Sequence, residues 1–348
     1  MATMKALSEQ LGAGKNLKTQ QVAEAAAFLL DAAAPSTAKA DFLRALADKG
    51  ETPDEIASFV QEFLKLAVDP GIQRDSLPGP MLDVVGTGGD KLNLFNVSTT
   101  AMFILAAGGV CIVKHGNRGI TGKSGGADVL EALGIKIDLP RERVAAGVKS
   151  IGLGFLFAPL YHPAFKAVAE ARKILAGEGR RSIFNILGPL LNPAQPDHQL
   201  IGVFDPALTQ TFGAILKKLG RKGAWIVHGS TGNGGGMDEL STLGETQIAK
   251  LKGNRITQAK VDPKALGFAT PKLEDLVGGD AADNANILEG ILSGSDKGPR
   301  RDLTVINAAA GFVITGIASD LPEACDLAES LLDRGAAHVK MREMQALC

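Results

Sequence analysis

Three glycine-rich turns, each placed between an apolar strand-like run and a later periodic run, constrain this chain most. They lie in "DVVGTGGDKLNLFNVSTT" (residues 83–100), "IVKHGNRGITGKSGGADVLEALG" (112–134) and "HGSTGNGGGMDELSTLGET" (228–246). Glycine permits positive φ and has no Cβ, so backbone N–H groups there can approach a ligand closely. A strand followed by a glycine turn and then by the start of a helix is an arrangement that favours anion binding. The first turn fits neither G-x-G-x-x-G nor the P-loop pattern, and by itself a turn of this kind is more often structural than phosphate-binding.

The order of the periodic segments predicts two kinds of structure. Residues 19–68 space their apolar side chains three and four apart, which predicts helices with N-caps at Ser36 and Thr52 and a helix end at Gly50. A stretch rich in Pro and Gly follows at residues 69–80 and is typical of a linker or hinge. After it, "MLDVV", "VCIVKH", "LIGVF" and "AWIVHG" are predicted strands that alternate with helical segments. We therefore predict an α/β protein in which a small all-helical domain is hinged to a larger α/β domain with a central sheet flanked by helices.

The predicted domain boundaries follow these changes in pattern. Residues 1–75 form the helical domain, joined by part of residues 162–195, where "HPAFKAVAEARKIL" is helical again. Residues 80–161 and 196–348 form the α/β domain. The small domain thus receives two separate segments of the chain.

Composition and charge argue against several other classes of protein. Lys plus Arg total 37 and Asp plus Glu total 38, so the net charge of −1 gives no general attraction to nucleic acid or an anionic membrane. The longest apolar run, residues 101–113, is too short to span a bilayer, and the first residues show no signal-peptide pattern. Three scattered cysteines, Cys111, Cys325 and Cys348, fit neither a disulfide framework nor a zinc cluster. We expect a cytoplasmic protein that binds neither nucleic acid nor membrane.

Polar residues at the first turn offer ligands for phosphate. Asn96, Ser98 and Thr99 stand where a helix is predicted to begin, and one of them could serve simply as its N-cap. Because a cap needs only one such residue, three beside a glycine turn also suggest partners for several phosphate oxygens, or for a metal that they share.

The second turn adds cations. It carries Lys114, His115, Arg118 and Lys123, and it follows a strand predicted to lie beside the first. Loops at the same end of neighbouring parallel strands face each other across the edge where open α/β sheets bind ligands. Lys114 interrupts an apolar strand end, which favours a ligand role, whereas Lys123 is as well explained by an ordinary solvated charge.

The third turn ends in two adjacent acids, Asp238 and Glu239. They could mark a helix start or a surface turn, but oxygen ligands beside phosphate-binding loops are also what Mg²⁺ prefers. Arg172 is either a surface cation or a bidentate clamp for a carboxylate. The chain has no G-x-S-x-G or H-E-x-x-H motif, so hydrolase chemistry of those kinds is not favoured.

Seven ordered motifs together closely resemble the anthranilate phosphoribosyltransferase family. They are "GTGGD" (86–90), "NVST" (96–99), "KHGNR" (114–118), "SGGADVLEALG" (124–134), "FAPLYHPA" (157–164), "IFNILGPLLNPA" (183–194) and "MDELS" (237–241). The resemblance covers nearly the whole chain. It implies a nucleoside phosphorylase/phosphoribosyltransferase-like fold, a homodimer formed through the helical domain, and transfer of phosphoribosyl from phosphoribosyl pyrophosphate to anthranilate in tryptophan biosynthesis, with Mg²⁺.

The resemblance also implies a role for each matching residue. Catalysis would involve Lys114 and His115, and two Mg²⁺ ions would be bound by Ser98, Asp238 and Glu239. Anthranilate would contact Gly86, His115, Asn117 and Arg172. Phosphoribosyl pyrophosphate would contact Gly86, Gly89, Asp90, Leu94, Asn96, Ser98, Thr99, Lys114, Asn117, Arg118, Gly119, Thr121, Gly122 and Gly126.

The chain departs from the family pattern at three places. Leu94 stands where threonine is frequent, Gly122 and Gly126 stand where serine is frequent, and the segment between Arg172 and Asn185 is about three residues longer. Two alternatives also remain: a pyrimidine nucleoside phosphorylase, and a non-catalytic nucleic-acid-binding relative. The "KHGNR" motif argues against the first, and the retained acids with the neutral charge balance argue against the second.

Overall fold

A mixed eight-stranded sheet forms the centre of the larger part of the chain in the computed structural model, which describes residues 4–119 and 123–347. Its order is β3-β2-β1-β4-β5-β7-β8, with β6 paired to β5. Strands β1 to β5 run parallel, whereas β6, β7 and β8 are antiparallel to their neighbours. The strands are β1 (Met81–Gly86), β2 (Cys111–Gly116), β3 (Leu153–Phe157), β4 (His198–Gly202), β5 (Gly223–Ser230), β6 (Gly236–Met237), β7 (Thr246–Lys252) and β8 (Arg255–Val261).

The described residues form fifteen α-helices. The N-terminal helices are α1 (Met4–Gly12), α2 (Thr19–Leu30), α3 (Ser36–Lys49) and α4 (Pro53–Lys65). The others are α5 (Val97–Ala107), α6 (Gly126–Ala132), α7 (Arg141–Ile151), α8 (Ala158–Tyr161), α9 (Ala169–Gly177), α10 (Phe184–Leu187), α11 (Leu208–Lys218), α12 (Ala281–Ser293), α13 (Pro299–Thr315), α14 (Leu321–Asp333) and α15 (Ala336–Ala346). Among the described residues, none of these helices is both long and apolar enough to cross a membrane.

The helix signals in the N-terminal region are largely confirmed. Thr52 caps α4, because its hydroxyl accepts the N–H of Glu55 at 3.2 Å, and Gly50 ends α3 with φ of 84°. The prediction for Ser36 is wrong: this residue is the first of α3, and Pro35 holds the N-cap position without a side-chain hydrogen bond.

Two layers of helices cover the sheet. Helices α5 and α13 pack on one face, and α12, α14 and α15 pack on them, so that this side holds the largest apolar cluster. On the other face α11 packs against β5 and β7 and also against α4. The core of the N-terminal bundle is therefore continuous with this face through Phe212 of α11 and Ile226 of β5. These observations confirm the predicted fold class of a helical domain joined to a larger α/β domain.

The topology brings distant segments to one edge of the sheet. The carboxyl ends of β1, β2, β4 and β5 lie side by side, because these strands are parallel neighbours in the order β2-β1-β4-β5. The chain after β3 returns to the bundle, where α9 packs on α3. The four strand-end loops and this returning segment together surround the site described below.

A buried ion pair fixes the start of α4. The Glu55 carboxylate, only 1 % exposed, accepts from Lys49 Nζ at 2.7 Å, from Thr52 Oγ1 at 2.9 Å and from the N–H of Leu17 at 2.9 Å. Burial alone would raise the pKa of Glu55, but these hydrogen bonds outweigh it and hold the pKa below the usual 4.5. The folded state therefore favours the charged form.

We predict that Glu55→Gln lowers the free energy of unfolding by about 3 kcal/mol at pH 7, because Lys49 loses its buried counter-ion. Glu62→Gln on the same helix is the control: its pair with Lys65 is exposed, so the loss should stay within about 0.5 kcal/mol. Since the folded pKa of Glu55 is lowered, the difference is complete above pH 4.5 and fades at lower pH. Urea unfolding followed by circular dichroism measures it, and equal effects of both changes at pH 7 would contradict the prediction.

Candidate functional site

A cleft of about 880 Å³ lies at the carboxyl edge of the sheet, between the strand-end loops and the returning helical segment. Every predicted site residue within the described ranges lines it. These residues are Gly86, Gly89, Asp90, Leu94, Asn96, Ser98, Thr99, Lys114, His115, Asn117, Arg118, Gly119, Gly126, Arg172, Asp238 and Glu239. Thr121 and Gly122 lie outside the described residues. The topology thus gathers residues as distant in the chain as Gly86 and Glu239.

The first glycine turn is in direct contact with the third. Asp238 Oδ2 accepts the N–H of Gly88 at 2.6 Å. A Cβ on Gly86 would lie 2.7 Å from the same Oδ2, and one on Gly202 would lie 1.5 Å from the carbonyl oxygen of Asp238. Glycine is therefore required at both strand ends for Asp238 to reach the turn.

The acids at this end of the cleft repel one another. The N–H of Asp238 lies 3.4 Å from Asp90 Oδ2. Burial, followed by the neighbouring charge of Asp90, raises the pKa of Asp238 to about 7. Burial and then Asp238 raise the pKa of Glu239 well above its usual range, and Lys114 offsets only part of this. Such a group of desolvated carboxylates is suited to binding a cation.

These residues fit a hydrated magnesium site completed by substrate oxygens. The N–H of Ser98 is hydrogen-bonded to the Glu239 carboxylate, so the serine and the acid are adjacent. Among the described residues, no group of three or more His, Cys, Asp or Glu side chains is arranged to hold a metal ion alone. Mg²⁺ typically uses one or two carboxylates together with water and phosphate oxygens, which this donor set can supply.

The glycine turn also presents unused backbone donors. Gly88 has φ of 67° and Lys91 has φ of 60°, so the turn contains two left-handed residues, one of them not glycine. The N–H groups of Gly89, Asp90 and Lys91 have no hydrogen-bond partner within the described ranges. A turn of this kind forms a concave set of donors that suits an anion.

The polar residues at the start of α5 are not used as a cap. Asn96 holds the N-cap position, but its side chain makes no cap hydrogen bond. Its Oδ1 instead accepts from Nδ2 of the buried Asn284 at 2.9 Å, and its Nδ2 donates to the carbonyl of Ser124 at 3.3 Å. The Ser98 hydroxyl accepts from Lys114 Nζ at 3.0 Å. The capping alternative therefore does not hold for Asn96, whose side chain is bonded to Asn284 and Ser124 instead.

Leu94, the first departure from the family pattern, has a structural role as well as a place in the cleft. Its backbone forms an antiparallel bridge with Val277, and its side chain packs against the main core. The adjacent Asn93, in the left-handed region at φ of 53°, accepts the N–H of Gly278 at 2.8 Å. The loop between the glycine turn and α5 is thus fixed by backbone contacts, without a hydroxyl at residue 94.

Lys114 and His115 lie near the end of β2 and line the cleft. Lys114 Nζ donates to the carbonyl of Val84 at 2.5 Å and to Ser98, and burial lowers its pKa. Burial, with His162 nearby, lowers the pKa of His115 to about 3, so the ring is neutral at pH 7. Its hydrogen bond to the backbone of Gly188 leaves Nε2 buried and without a partner among the described residues.

Arg118 is held by acids of α6. Its guanidinium pairs with Glu131 and lies 3.3 Å from Asp128 Oδ1. Asp128 also accepts the N–H groups of Gly119 and Gly125, both at 2.8 Å, and so orders the two ends of the second turn. Asn117 Oδ1 accepts the N–H of Arg118 at 2.8 Å. A phosphate role for Arg118 would therefore compete with two carboxylates.

An aromatic wall forms the other end of the cleft. The rings of His115 and His162 are 5.3 Å apart, His162 and Phe165 5.1 Å, and Phe165 and Phe184 5.6 Å. The Arg172 guanidinium lies over Phe184 at 5.5 Å. Burial lowers the pKa of Arg172, and no carboxylate partners it within the described residues. A flat aromatic carboxylate matches these features.

Several cleft residues carried no decisive signal in the sequence. The ring of His162 belongs to the wall, and its Nε2 is hydrogen-bonded to the carbonyl of Leu191 at 2.8 Å. Phe204 and Arg181 also line the cleft, and Asn284 supports Asn96. The sequence signal for Phe204 was its place two residues after β4, one of the strands that end at the cleft.

The chain matches two regions of the glycosyl transferase family: its helical bundle domain over residues 5–67 and its a/b domain over residues 78–338. It is 42 % identical over 343 residues to the anthranilate phosphoribosyltransferase of Moorella thermoacetica, covering 99 % of this chain and 98 % of the relative.

Two solved structures share the fold over almost their full length. The crystal structure of anthranilate phosphoribosyltransferase from Thermus thermophilus has a TM-score of 0.88 at 36 % identity and covers 98 % of each chain. The Saccharomyces cerevisiae enzyme in complex with PRPP and Mg has a TM-score of 0.87 at 26 % identity, covering 99 % of this chain and 97 % of the other.

Proposed function

Since this chain belongs to the anthranilate phosphoribosyltransferase family, we infer that it transfers the phosphoribosyl group from phosphoribosyl pyrophosphate to the amine of anthranilate and releases pyrophosphate. The observation that carries this function is the chemical difference between the two ends of one cleft. Acids and free backbone donors meet at the glycine turn, and an aromatic wall with an arginine that lacks a carboxylate partner in the described chain forms the other end. The two ends match a metal-bound diphosphate and an aromatic carboxylate.

We assign magnesium binding to Ser98, Asp238 and Glu239, with two ions as the proposed number. When bound, magnesium neutralises the charge that develops on the departing pyrophosphate. The chain itself contributes the N–H groups of Gly89, Asp90 and Lys91, which are fixed before the reaction and so need no reorganisation.

Lys114 is proposed to stabilise the leaving group. An ammonium has three N–H donors, and two of them are used by Val84 and Ser98. The third is available for a phosphate oxygen. Because Ser98 is also the proposed metal ligand, Lys114 lies beside the charge that forms when the C1–oxygen bond of the ribose breaks.

The acceptor is proposed to be positioned rather than deprotonated. An aromatic amine is neutral and nucleophilic at pH 7, and His115 with a pKa of about 3 is a weak base. His115 and Asn117 would orient the amine, while Arg172 would bind the carboxylate. Orientation of two bound reactants can supply much of the rate enhancement.

The rival functions fit this cleft less well. The cleft places Asp238 and Glu239 in contact with Gly88 and Ser98, an arrangement for which a non-catalytic relative would have no need. The nucleoside-binding lysine and serine pattern of a pyrimidine nucleoside phosphorylase is not visible in the sequence.

We propose that residues 1–75 together with part of residues 162–195 form one unit, and residues 80–161 and 196–348 the other. Support comes from Lys39 of α3, whose buried Nζ donates to the carbonyl of Ala167 at 2.6 Å. Limited proteolysis tests this, since initial cleavage should fall in residues 69–80.

We also place the protein in the cytoplasm, where buried free thiols such as Cys111 and Cys325 persist. Cell fractionation tests the location.

The assay of function uses the fluorescence of anthranilate. We predict that the signal falls only when phosphoribosyl pyrophosphate and Mg²⁺ are both added, because the diphosphate is bound with the metal. As a control, the Asp238→Asn, Glu239→Gln double variant keeps the side-chain shapes without charge and should lose turnover about 100-fold or more, as when other electrostatic groups are removed from active sites. Unchanged fluorescence with the wild-type protein would refute the function.

The Arg172→Ala variant tests the aromatic end. The Michaelis constant for anthranilate should rise about tenfold or more, because a charge-assisted pair with the carboxylate is lost. The constant for phosphoribosyl pyrophosphate should change less than about twofold, given additivity between distant sites. Lys173→Ala is the matched control, since its exposed side chain pairs with Glu170. Equal constants for wild type and Arg172→Ala would exclude the assigned contact.

We propose a homodimer formed through the helical domain. Leu66, directly after α4, is 55 % exposed and offers apolar surface on that side. Sedimentation velocity should therefore give a species of about twice the 36.1 kDa chain mass. A single species at the monomer mass at micromolar concentration would contradict the dimer.

A further inference from the structure

Arg181 is a cation of the cleft to which the proposed chemistry gives no role. It follows α9 and precedes α10, its side chain is exposed, and it lines the cleft. Its guanidinium carbon lies 4.1 Å from the centroid of the Phe204 ring, well within cation–π distance. The ring therefore restricts the positions that this long side chain can occupy.

Phe204 is itself fixed against the first glycine turn. Its N–H donates to Thr87 Oγ1 at 3.1 Å, and the N–H of Thr87 donates to the carbonyl of Gly202 at 3.0 Å. A Cβ on Gly89 would lie 2.4 Å from the Cδ1 atom of Phe204, so ring and turn are in tight contact. The Phe204 ring thus contacts both the turn that is proposed to bind diphosphate and the Arg181 guanidinium.

The residues next to Arg181 are anchored on α3, whereas the Arg181 side chain lines the cleft. Glu178 accepts from Arg44 of α3 through both carboxylate oxygens, at 2.6 and 3.1 Å. Arg180 pairs with Asp48, also on α3. Two consecutive arginines are therefore divided: Arg180 is anchored on the bundle, and Arg181 extends into the cleft.

Arg181, like Arg172, differs from Lys114 and Arg118 in its lack of an acidic partner. Lys114 is hydrogen-bonded to Val84 and Ser98, and Arg118 is paired with acids of α6. In the described part of the chain, Arg181 has no carboxylate or hydrogen-bond partner. Its donors are thus available to an anion, and the Phe204 ring beneath it contacts the turn that is proposed to bind one.

We propose that Arg181 binds the pyrophosphate group of phosphoribosyl pyrophosphate from the helical side of the cleft, opposite the backbone N–H groups of the glycine turn. This assignment rests on the proposed function. A planar guanidinium can donate two parallel hydrogen bonds to phosphate oxygens while it remains stacked on an aromatic ring. Arg172 serves the carboxylate of the acceptor, so two arginines without acidic partners in the described chain divide the cleft between the two substrates.

The test compares Arg181→Met with Arg180→Met, a matched change at the adjacent residue. Two quantities are measured: the Michaelis constants for both substrates, and the Kd of inorganic pyrophosphate with Mg²⁺ by calorimetry. For Arg181→Met we expect the phosphoribosyl pyrophosphate constant and the pyrophosphate Kd to rise about tenfold or more, as when a charged hydrogen bond is lost. The anthranilate constant should stay within about twofold, and Arg180→Met should change neither substrate constant beyond that range.

Two further variants test whether pyrophosphate binding needs the planar guanidinium and the ring beneath it, and not only a positive charge at residue 181. Arg181→Lys keeps the charge but loses the planar fork, so it should recover only part of the affinity. Phe204→Leu removes the stacking surface and should weaken pyrophosphate binding in the same direction, with Arg181 still present. Circular dichroism checks that each variant is folded.

The outcomes are distinguishable. Unchanged pyrophosphate Kd and unchanged phosphoribosyl pyrophosphate constant in Arg181→Met would overturn the assignment. A rise in the Michaelis constant for anthranilate alone would also overturn the assignment, because it would indicate that Arg181 binds the acceptor. If the wild-type protein has no transferase activity, the proposed function fails, whereas the calorimetric comparison still decides whether Arg181 binds pyrophosphate.

Discussion

The site depends on a close steric approach between the third glycine turn and the ends of three strands. The backbone of Asp238 and Glu239 passes directly over β1, β4 and β5. Cβ atoms at Gly86, Gly202 and Gly229 would each lie within 2.7 Å of atoms of these two acids. Contacts that short essentially never occur for real Cβ atoms. Only glycine at all three strand ends allows both acids to reach the first turn, and the metal-binding hypothesis depends on that contact.

This approach has an electrostatic consequence. It buries Asp238 and partly buries Glu239 near Asp90, and burial with mutual repulsion raises the pKa of both. Lys114 provides one compensating charge below them. The folded chain maintains this repulsion through packing elsewhere, as strained functional sites generally do. A divalent cation would relieve it, so metal affinity follows from the same glycines that set the geometry.

The sequence predicted the parts of this site that follow strands. Lys114, Asp238 and the first glycine turn could be placed together because the carboxyl ends of parallel strands meet at one edge. Contacts between remote side chains could not be predicted: Asn284 lies 188 positions from its partner Asn96. The ion pair between Arg118 and Glu131 could not be predicted either, because charge alone does not determine which acid a cation contacts. The β7–β8 hairpin was also missed, because polar residues dominate its outer strand.

Arg172 lines the cleft although the segment between it and Asn185 is longer than the family pattern. This is possible because the elements on either side of the longer segment are anchored separately. Helix α9 packs on α3, and the turn after it is tied to the same helix by Arg44 and Asp48. Phe184 of α10 stacks on Phe63 of α4, with ring centroids 5.8 Å apart. Since both anchors lie in the bundle, the loop between them can change length without moving Arg172 away from Phe184, as surface loops commonly do.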